Sequence, residues 1–435
     1  MRGAEAVLAC LREQDVDTVF GYPGGMILPL YDALYGQTEI RQILVTHEQN
    51  AAHAADGYAR ATGRVGVCIA TSGPGATNLV TGIATAYMDS IPMVAITGQV
   101  DLSMLGRDAF QETDILDVTM PVTKHNYKVK NAADLVPTIR EAFALARSGR
   151  PGPVLIDVPR NLFFEEVAYT EQKRAEHQPG KPDADFIICA AEAAAEIVNA
   201  ERPLVIVGGG VISAGASAET VAFIEKYQLP VVHTLMGMGA VPSTHPQMLG
   251  FIGMHGAKAA NYAVGAADLV IALGSRFADR LTGNLSKFTA NRRFIHIDID
   301  PAEIDKIVGS SIGLAGNMRV VLNLLMRKEP KRDHTAWWQQ IHMWQEEFED
   351  DYHVDSLTVP WALHQVARMT AGKPYAYVTD VGQHQMWAAL HLHVEEPRTW
   401  LTSGGLGTMG YGLTAAMGAQ VAWGDERRVI HITGD

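Results

Sequence analysis

Cysteine is scarce in this chain, with three in 435 residues. Cys10, Cys68 and Cys189 are odd in number, far apart and set in apolar runs. That excludes a disulfide framework and a paired-ligand zinc site, and it predicts buried free thiols in a reducing compartment. Long hydrophobic stretches are missing too: no run reaches the roughly 20 apolar residues that cross a bilayer. The N-terminal Met1-Arg2-Gly3-Ala4-Glu5 enters an amphipathic helix directly, without a signal-peptide core. Positive charge is in deficit, the formal net charge being −13, which argues against a general nucleic-acid surface. His384, His391 and His393 lack the helical spacing of a zinc pair and read as polar surface or pocket residues. These absences predict a cytoplasmic protein with no membrane and no nucleic-acid partner.

What is present is ample material for cores. Hydrophobic residues make up 47% of the chain and charged residues 19%, too apolar a balance for disorder. The length suits about three domains of roughly 150 residues. Residues 1–165 alternate helical patterns (Glu48 to Ala61, Ala76 to Met88, Ala132 to Ser148) with short apolar runs. Those runs are Thr18-Val19-Phe20, Ile43-Leu44-Val45, Val65 to Ala70, Met93 to Thr97 and Val154 to Val158. Strands separated by helices predict a parallel sheet covered on both faces. Glu165 to Asp183, with Pro179, Gly180 and Pro182, reads as a linker. A second unit, 185–328, has predicted strands at Leu204 to Val207, Leu269 to Leu273 and Phe294 to Ile297. The charged Arg327-Lys328-Glu329-Pro330-Lys331-Arg332 separates it from a third, which opens with the aromatic helix Trp337 to Phe348. Within 355–435 follow a strand at Tyr375 to Thr379, a helix from His384, the glycine-rich turn Gly404 to Gly412 and a buried final strand, Arg428 to Ile432. The predicted class is α/β, with three doubly wound parallel-sheet domains of which the third is incomplete.

Ligand-type turns recur at the strand ends. Gly21-Tyr22-Pro23-Gly24-Gly25 follows the first strand; its glycines permit either close approach to a ligand or a plain strand-to-helix turn. His47-Glu48-Gln49 follows the next, placing Glu48 in a helix's first turn, where a carboxylate complements the helix dipole or serves a site. Ser72-Gly73-Pro74-Gly75-Ala76-Thr77-Asn78 joins a third strand to its helix, where open α/β sheets place ligands. Three such turns in one domain point to a shared site. In the second unit Gly208-Gly209-Gly210 resembles a diphosphate cradle at a helix N-terminus, without the full G-x-G-x-x-G spacing. Gly274-Ser275-Arg276-Phe277-Ala278-Asp279-Arg280 follows another strand there. In His296-Ile297-Asp298-Ile299-Asp300 the two carboxylates alternate and so share a strand face, to meet either a ribose or an arginine. Asp380-Val381-Gly382-Gln383-His384 and Gly404-Gly405-Leu406-Gly407-Thr408-Met409-Gly410 mark two further strand-to-helix junctions.

Together these residues resemble the catalytic (large) subunit of acetohydroxyacid (acetolactate) synthase, bacterial isozyme II type, over residues 1–435. Nine motifs in order carry the resemblance: GYPGG at 21–25, HEQ at 47–49, ATSGPGATN at 70–78, DAFQE at 108–112, TKHNY at 123–127, SGRPGPVLIDVP at 148–159, GMHG at 253–256, TDVGQHQMWAA at 379–389 and TSGGLGTMG at 402–410. The resemblance implies a pyrimidine-binding domain, a central FAD-binding domain and a partial diphosphate-binding domain, with thiamine diphosphate, Mg2+ and FAD as cofactors. It implies decarboxylation of pyruvate and condensation of the two-carbon unit with pyruvate or 2-ketobutyrate, the first common step of branched-chain amino-acid biosynthesis. A homodimer or homotetramer of catalytic subunits is implied, and a small regulatory subunit is a family expectation. A sister thiamine-dependent carboligase is the second reading, against which the FQE and TKHNY elements weigh.

By motif position, Glu48 would hydrogen-bond N1′ of the aminopyrimidine, with Gly24, Gly25, Pro74, Asn78 and Gly407 around it. Met409 would wedge the cofactor into its bent form, Gln383 and His384 would meet the diphosphate, and Asp435 would ligate magnesium. Phe110, Gln111 and Arg160 would line the substrate channel. Arg150, Gly208, Gly209, Gly210, His255, Gly256, Arg276, Asp279, Arg280 and Asp298 would hold a flavin with no redox part in the main reaction. Some positions depart from the family pattern. Arg160 stands for a lysine, which keeps the charge and changes its reach. Ala278 and Asn317 stand for aspartates, Met26 for a small residue and Thr414 for proline. His431-Ile432-Thr433-Gly434-Asp435 is the first half of the family's magnesium motif, and the Gly-Ser and second ligand that follow it there are absent. A third reading follows: a truncated chain, inactive alone.

Overall fold

The computed structural model describes residues 1–172, 180, 182–348 and 357–434. It contains two compact units: Met1–His177 with Tyr377–Val381 and Leu401–Asp435, and Gln178–Ala376 with Gly382–Trp400. Among the described residues no helix is long and apolar enough to cross a membrane.

The first unit carries six strands: β1 (Thr18–Gly21), β2 (Arg41–Leu44), β3 (Gly66–Ala70), β4 (Met93–Gln99), β5 (His125–Lys128) and β6 (Pro153–Pro159). All pairings are parallel, in the order β2-β1-β3-β4-β6-β5. β3, β4 and β6 are buried along their whole length, as central parallel strands covered on both faces are, and the polar Thr97, Gln99 and Asp157 among them are hydrogen-bonded to one another. The chain steps from β1 to β2 on one side, then to β3 on the other. The order therefore reverses at β1/β3 and leaves a crevice at the strands' carboxyl ends. The predicted helix Ala76 to Met88 is broken at Leu79 into Pro74–Asn78 and Val80–Asp89. Cys10 and Cys68 are fully buried, and burial pushes both thiols up to about 12. Cys189 is only half-buried, in the second unit.

That second unit is built on β7 (Pro203–Val207), β8 (Val231–His233), β9 (Met248–Phe251), β10 (Leu269–Leu273), β11 (Arg293–Asp298) and β12 (Ile312–Ala315). They are again parallel, in the order β12-β11-β10-β7-β8-β9, with the reversal between β7 and β10. The aromatic helix Thr335–Glu347 belongs here and does not open a third unit. Trp337 and Ile341, one helical turn apart, complete the core formed by Leu204, Ile206 and Val270. The Trp337 indole N–H donates to the Pro203 carbonyl at 3.0 Å. Its apolar face is thus spent on the second sheet.

A three-stranded sheet has the order β14-β13-β15, with β13 at Tyr375–Thr379, β14 at Trp400–Leu401 and β15 at Arg428–Ile432. β15 is half-buried at an edge, where its apolar run predicts full burial. In the first unit the helix Tyr411–Trp423 packs on the helix Glu48–Thr62 backbone to backbone. A Cβ on Gly57 would stand 2.1 Å from the Ala415 carbonyl oxygen, and one on Gly418 only 1.9 Å from that of Ala54. In the second unit the helix Val359–Thr370 packs on Gln383–His391. There His391 is buried and stacks on Trp387, with ring centroids 5.5 Å apart.

Candidate active site

The β1/β3 crevice gathers most of the predicted pyrimidine-site residues. His47 caps the helix Glu48–Thr62, its Nδ1 accepting from Gln49 N at 3.2 Å. The Glu48 side chain is therefore not needed as a cap. It is buried, and its Oε2 accepts from Asn78 Nδ2 at 2.9 Å. Its Oε1 faces Gly75, where a Cβ would come within 3.1 Å. Thr71, which lies within the ATSGPGATN motif without a role of its own there, organises the cradle. Its Oγ1 accepts from Met26 N at 3.2 Å, and its methyl would meet a Cβ on Gly24 at 2.5 Å or on Gly75 at 2.8 Å. A Cβ on Gly25 would meet nothing within 4 Å, and Pro74 is exposed. Ser72 Oγ and Tyr31 Oη are buried without a hydrogen-bond partner among the described residues. A buried carboxylate, an unsatisfied hydroxyl and glycines held to minimal size fit a polar heteroaromatic ring.

Gln111 joins this crevice. Its φ is +60°, and its backbone lies so close to Gly73, also at +60°, that a Cβ on Gly73 would stand 2.8 Å from Gln111 O. Phe110 beside it is 83% exposed, so the protein core does not use its ring. Arg160 follows β6; its guanidinium lies over the Phe164 ring at 5.6 Å, and its buried Nε has no hydrogen-bond partner among the described residues.

Gly407 and Met409 lie on the turn before the helix Tyr411–Trp423, in the first unit. Met409 is 73% exposed. Asp380, at the tip of β13, receives the Gly410 N–H on both carboxylate oxygens, at 2.9 and 3.1 Å. Gln383 and His384 open the helix Gln383–His391 in the second unit; Gln383 is exposed and His384 Nε2 is buried without a partner among the described residues. Asp435 lies outside the described residues. Among those residues no group of three or more metal-ligating side chains occurs.

The predicted flavin residues divide into three groups. Gly208–Gly210 and Arg276 follow the two strands flanking the β7/β10 reversal, and Asp298 ends β11. The glycines owe their size to strand-tip packing: a Cβ on Gly208 would lie 2.1 Å from Gly274 O, and one on Gly210 would lie 2.6 Å from Gly274 Cα. Asp300 does not share a strand face with Asp298, since β11 ends at Asp298 and Asp300 caps the next turn through Ala302 N at 3.0 Å. The second group is the loop of His255 and Gly256, tied to Arg280 by Met254 N donating to Arg280 O at 2.8 Å, with Asp279 opening the adjoining short helix. Arg150, the third, lies in the first unit and donates from Nε to Ser90 Oγ at 2.8 Å. Asn317 caps the helix Met318–Leu325 by accepting from Arg319 N and Val320 N, a task that aspartate and asparagine share.

Two doubly wound sheets, with a buried glutamate at the switch point of the first, form the α/β architecture that places ligands at strand ends. The chain matches three thiamine pyrophosphate enzyme families: the N-terminal TPP binding domain over residues 1–118, the central domain over 190–325 and the C-terminal TPP binding domain over 380–435. It is 48% identical to the acetolactate synthase large subunit of Parasynechococcus marenigrum, over 100% of this chain and 72% of the relative. It is 46% identical to that of Corynebacterium glutamicum, covering 100% and 71%. It is 45% identical to the acetolactate synthase isozyme 3 large subunit of Escherichia coli, covering 100% and 78%. The chain belongs to the acetolactate synthase large subunit family, thiamine diphosphate-dependent transferases of branched-chain amino-acid biosynthesis.

Proposed function

We propose that Glu48 is the catalytic residue through which this chain uses its cofactor, sharing a proton with the aminopyrimidine N1′. When bound, thiamine diphosphate supplies an electron sink for the decarboxylation of pyruvate. The chain's own residues bind, orient and exclude water. The carrying observation is the buried Glu48 carboxylate, tied through Oε2 to Asn78 and with Oε1 against Gly75. Burial removes competing water, so the carboxyl group is kept for a ligand. Gly24, Gly25 and Pro74 would line the same pocket, and Gly407 and Met409 would support the cofactor there. Gln383 and His384 take the diphosphate at their helix start, and Asp435 contributes a hard oxygen to Mg2+.

Phe110, Gln111 and Arg160 guide pyruvate and 2-ketobutyrate, the Arg160 fork suiting a carboxylate. FAD is held in the central domain by Gly208, Gly209, Gly210, His255, Gly256, Arg276, Asp279, Arg280 and Asp298, with Arg150, and carries no electrons in the condensation. The domains are then 1–165 for the pyrimidine, 185–328 for FAD and 355–435 for the diphosphate. The working assembly is a cytoplasmic homodimer or homotetramer, joined by a small regulatory subunit. The test is Glu48→Gln, with pyruvate turnover and cofactor binding measured separately.

A further inference from the structure

Met409 has a positional problem: it is 73% exposed, so packing of its own side chain does not fix it. The turn that carries it, 404–410, contains Gly404, Gly405, Gly407 and Gly410, with φ of +68° at Gly407 and +86° at Gly410. Such a turn is conformationally loose unless something holds it.

The helix Val80–Asp89 holds it. Asp89 Oδ2 accepts from Gly404 N at 3.0 Å and Oδ1 from Gly405 N at 2.7 Å. Four residues earlier, Thr85 Oγ1 pairs with Thr408 Oγ1 at 2.7 Å, next to Met409 in sequence. An acid at a helix C-terminus opposes the helix dipole, and here its side chain is also fully buried. Both costs are offset by Arg60, whose Nη2 donates to Asp89 Oδ2 at 2.8 Å. Arg60 in turn donates from Nε to Asp56 Oδ1 at 2.6 Å, and that oxygen also receives the Tyr411 hydroxyl at 2.7 Å. Asp56 and Arg60 stand on the helix that begins with Glu48. One buried charge network thus joins the helix of the proposed proton partner to the turn of the proposed wedge.

We infer that Asp89 and Thr85 are positioning residues, fixing the 404–408 turn so that Met409 is presented to the cofactor in one geometry. The inference rests on the Met409 reading given above. Asp89→Asn keeps the shape, but its amide nitrogen cannot accept a backbone N–H and turns a donor toward Arg60 or a glycine amide. In the cofactor-free full chain, hydrogen exchange across 403–410 should accelerate at least tenfold while β3 stays unchanged. The dissociation constant for thiamine diphosphate, followed by tryptophan fluorescence, should rise tenfold or more. The near-ultraviolet circular dichroism of the bound aminopyrimidine should weaken at saturating cofactor, which a purely structural loss elsewhere would not cause. If Asp89→Asn fails to fold, Thr85→Val removes one hydroxyl pair and no charge, and should move the same readouts by a smaller factor. A folded variant of either kind with wild-type exchange at 403–410 overturns the inference. Met409→Ala separates the two readings: wild-type affinity and dichroism there would sink the role of Met409, while the exchange rates still decide whether Asp89 and Thr85 hold the turn.

Discussion

Asn78 Nδ2 donates to Glu48 Oε2 at 2.9 Å, joining the carboxylate that follows β2 to the helix that follows β3. The bond crosses the point where the strand order reverses. It orients one carboxylate oxygen and leaves the other to a ligand. Glu48→Gln keeps size and hydrogen bonding but cannot share a proton. Turnover of pyruvate should fall by about 10²-fold or more, the usual scale for a lost proton-transfer group, with the melting temperature little changed. Unchanged C2-proton exchange of the bound cofactor in the variant would remove Glu48 from this role.

Gly418→Ala tests the helix seam. The added methyl would stand 1.9 Å from the Ala54 carbonyl oxygen and 2.7 Å from its carbon, both backbone atoms with little freedom to move. Overpacking of this kind costs about 1–3 kcal/mol or more. Denaturant unfolding should show a clear loss of stability; a variant as stable as wild type would mean the two helices slide apart cheaply.

Asp157 gives a pH dependence with a definite sign. It is fully buried on β6, accepting from Thr97 Oγ1 at 2.7 Å and Gln99 Nε2 at 3.0 Å. Burial raises its carboxyl from 3.8 to about 6, against the pull of those two donors. The folded chain therefore binds this proton more tightly than the unfolded chain. Its favourable contribution is complete below about pH 4 and is lost as pH rises through 6, a change on the order of 3 kcal/mol. Asp157→Asn should flatten this part of the stability profile between pH 4 and 7. An identical profile would show that Asp157 is ionised in the folded protein throughout that range.

Flavin binding is expected to be visible directly. Purified protein should be yellow and release FAD on denaturation, without bleaching during pyruvate turnover. Colourless protein that gains no flavin signal on titration would defeat the proposal, with Ala278 and the packed Gly208–Gly210 turn the first places to look.

The central strands were legible because burial on both faces writes itself as a mostly apolar run: β3, β7 and β10 are apolar throughout, and β4, β6 and, between its polar ends, β11 are interrupted only by Thr97 and Gln99, Asp157, and His296. β5, with His125, Asn126 and Lys128, and the three-residue β8 carry no such run, so sequence pattern alone passes over them. The strand-end turns at Gly24, Glu48 and Gly75 were legible from glycine spacing and charge position. Asp89 was not: its partner Gly404 lies 315 residues away, and no local pattern encodes that pairing. One clue did exist, an aspartate at the end of a helix where dipole complementarity favours a base. The Trp337 helix reads as the start of a third unit because its apolar face is evident in sequence while the sheet it covers is not.

Cys68 sits at the middle of β3, fully buried, though it precedes Thr71 by only three residues. Burial pushes its thiol well up from the ordinary value, which suppresses the reactive thiolate, and in the closed sheet no reagent reaches it. Alkylation of Cys68 can therefore proceed only through an opening of the sheet, which makes this side chain a natural clock. Its labelling rate, with and without thiamine diphosphate, would time how often the core between β3 and the Glu48–Thr62 helix comes apart.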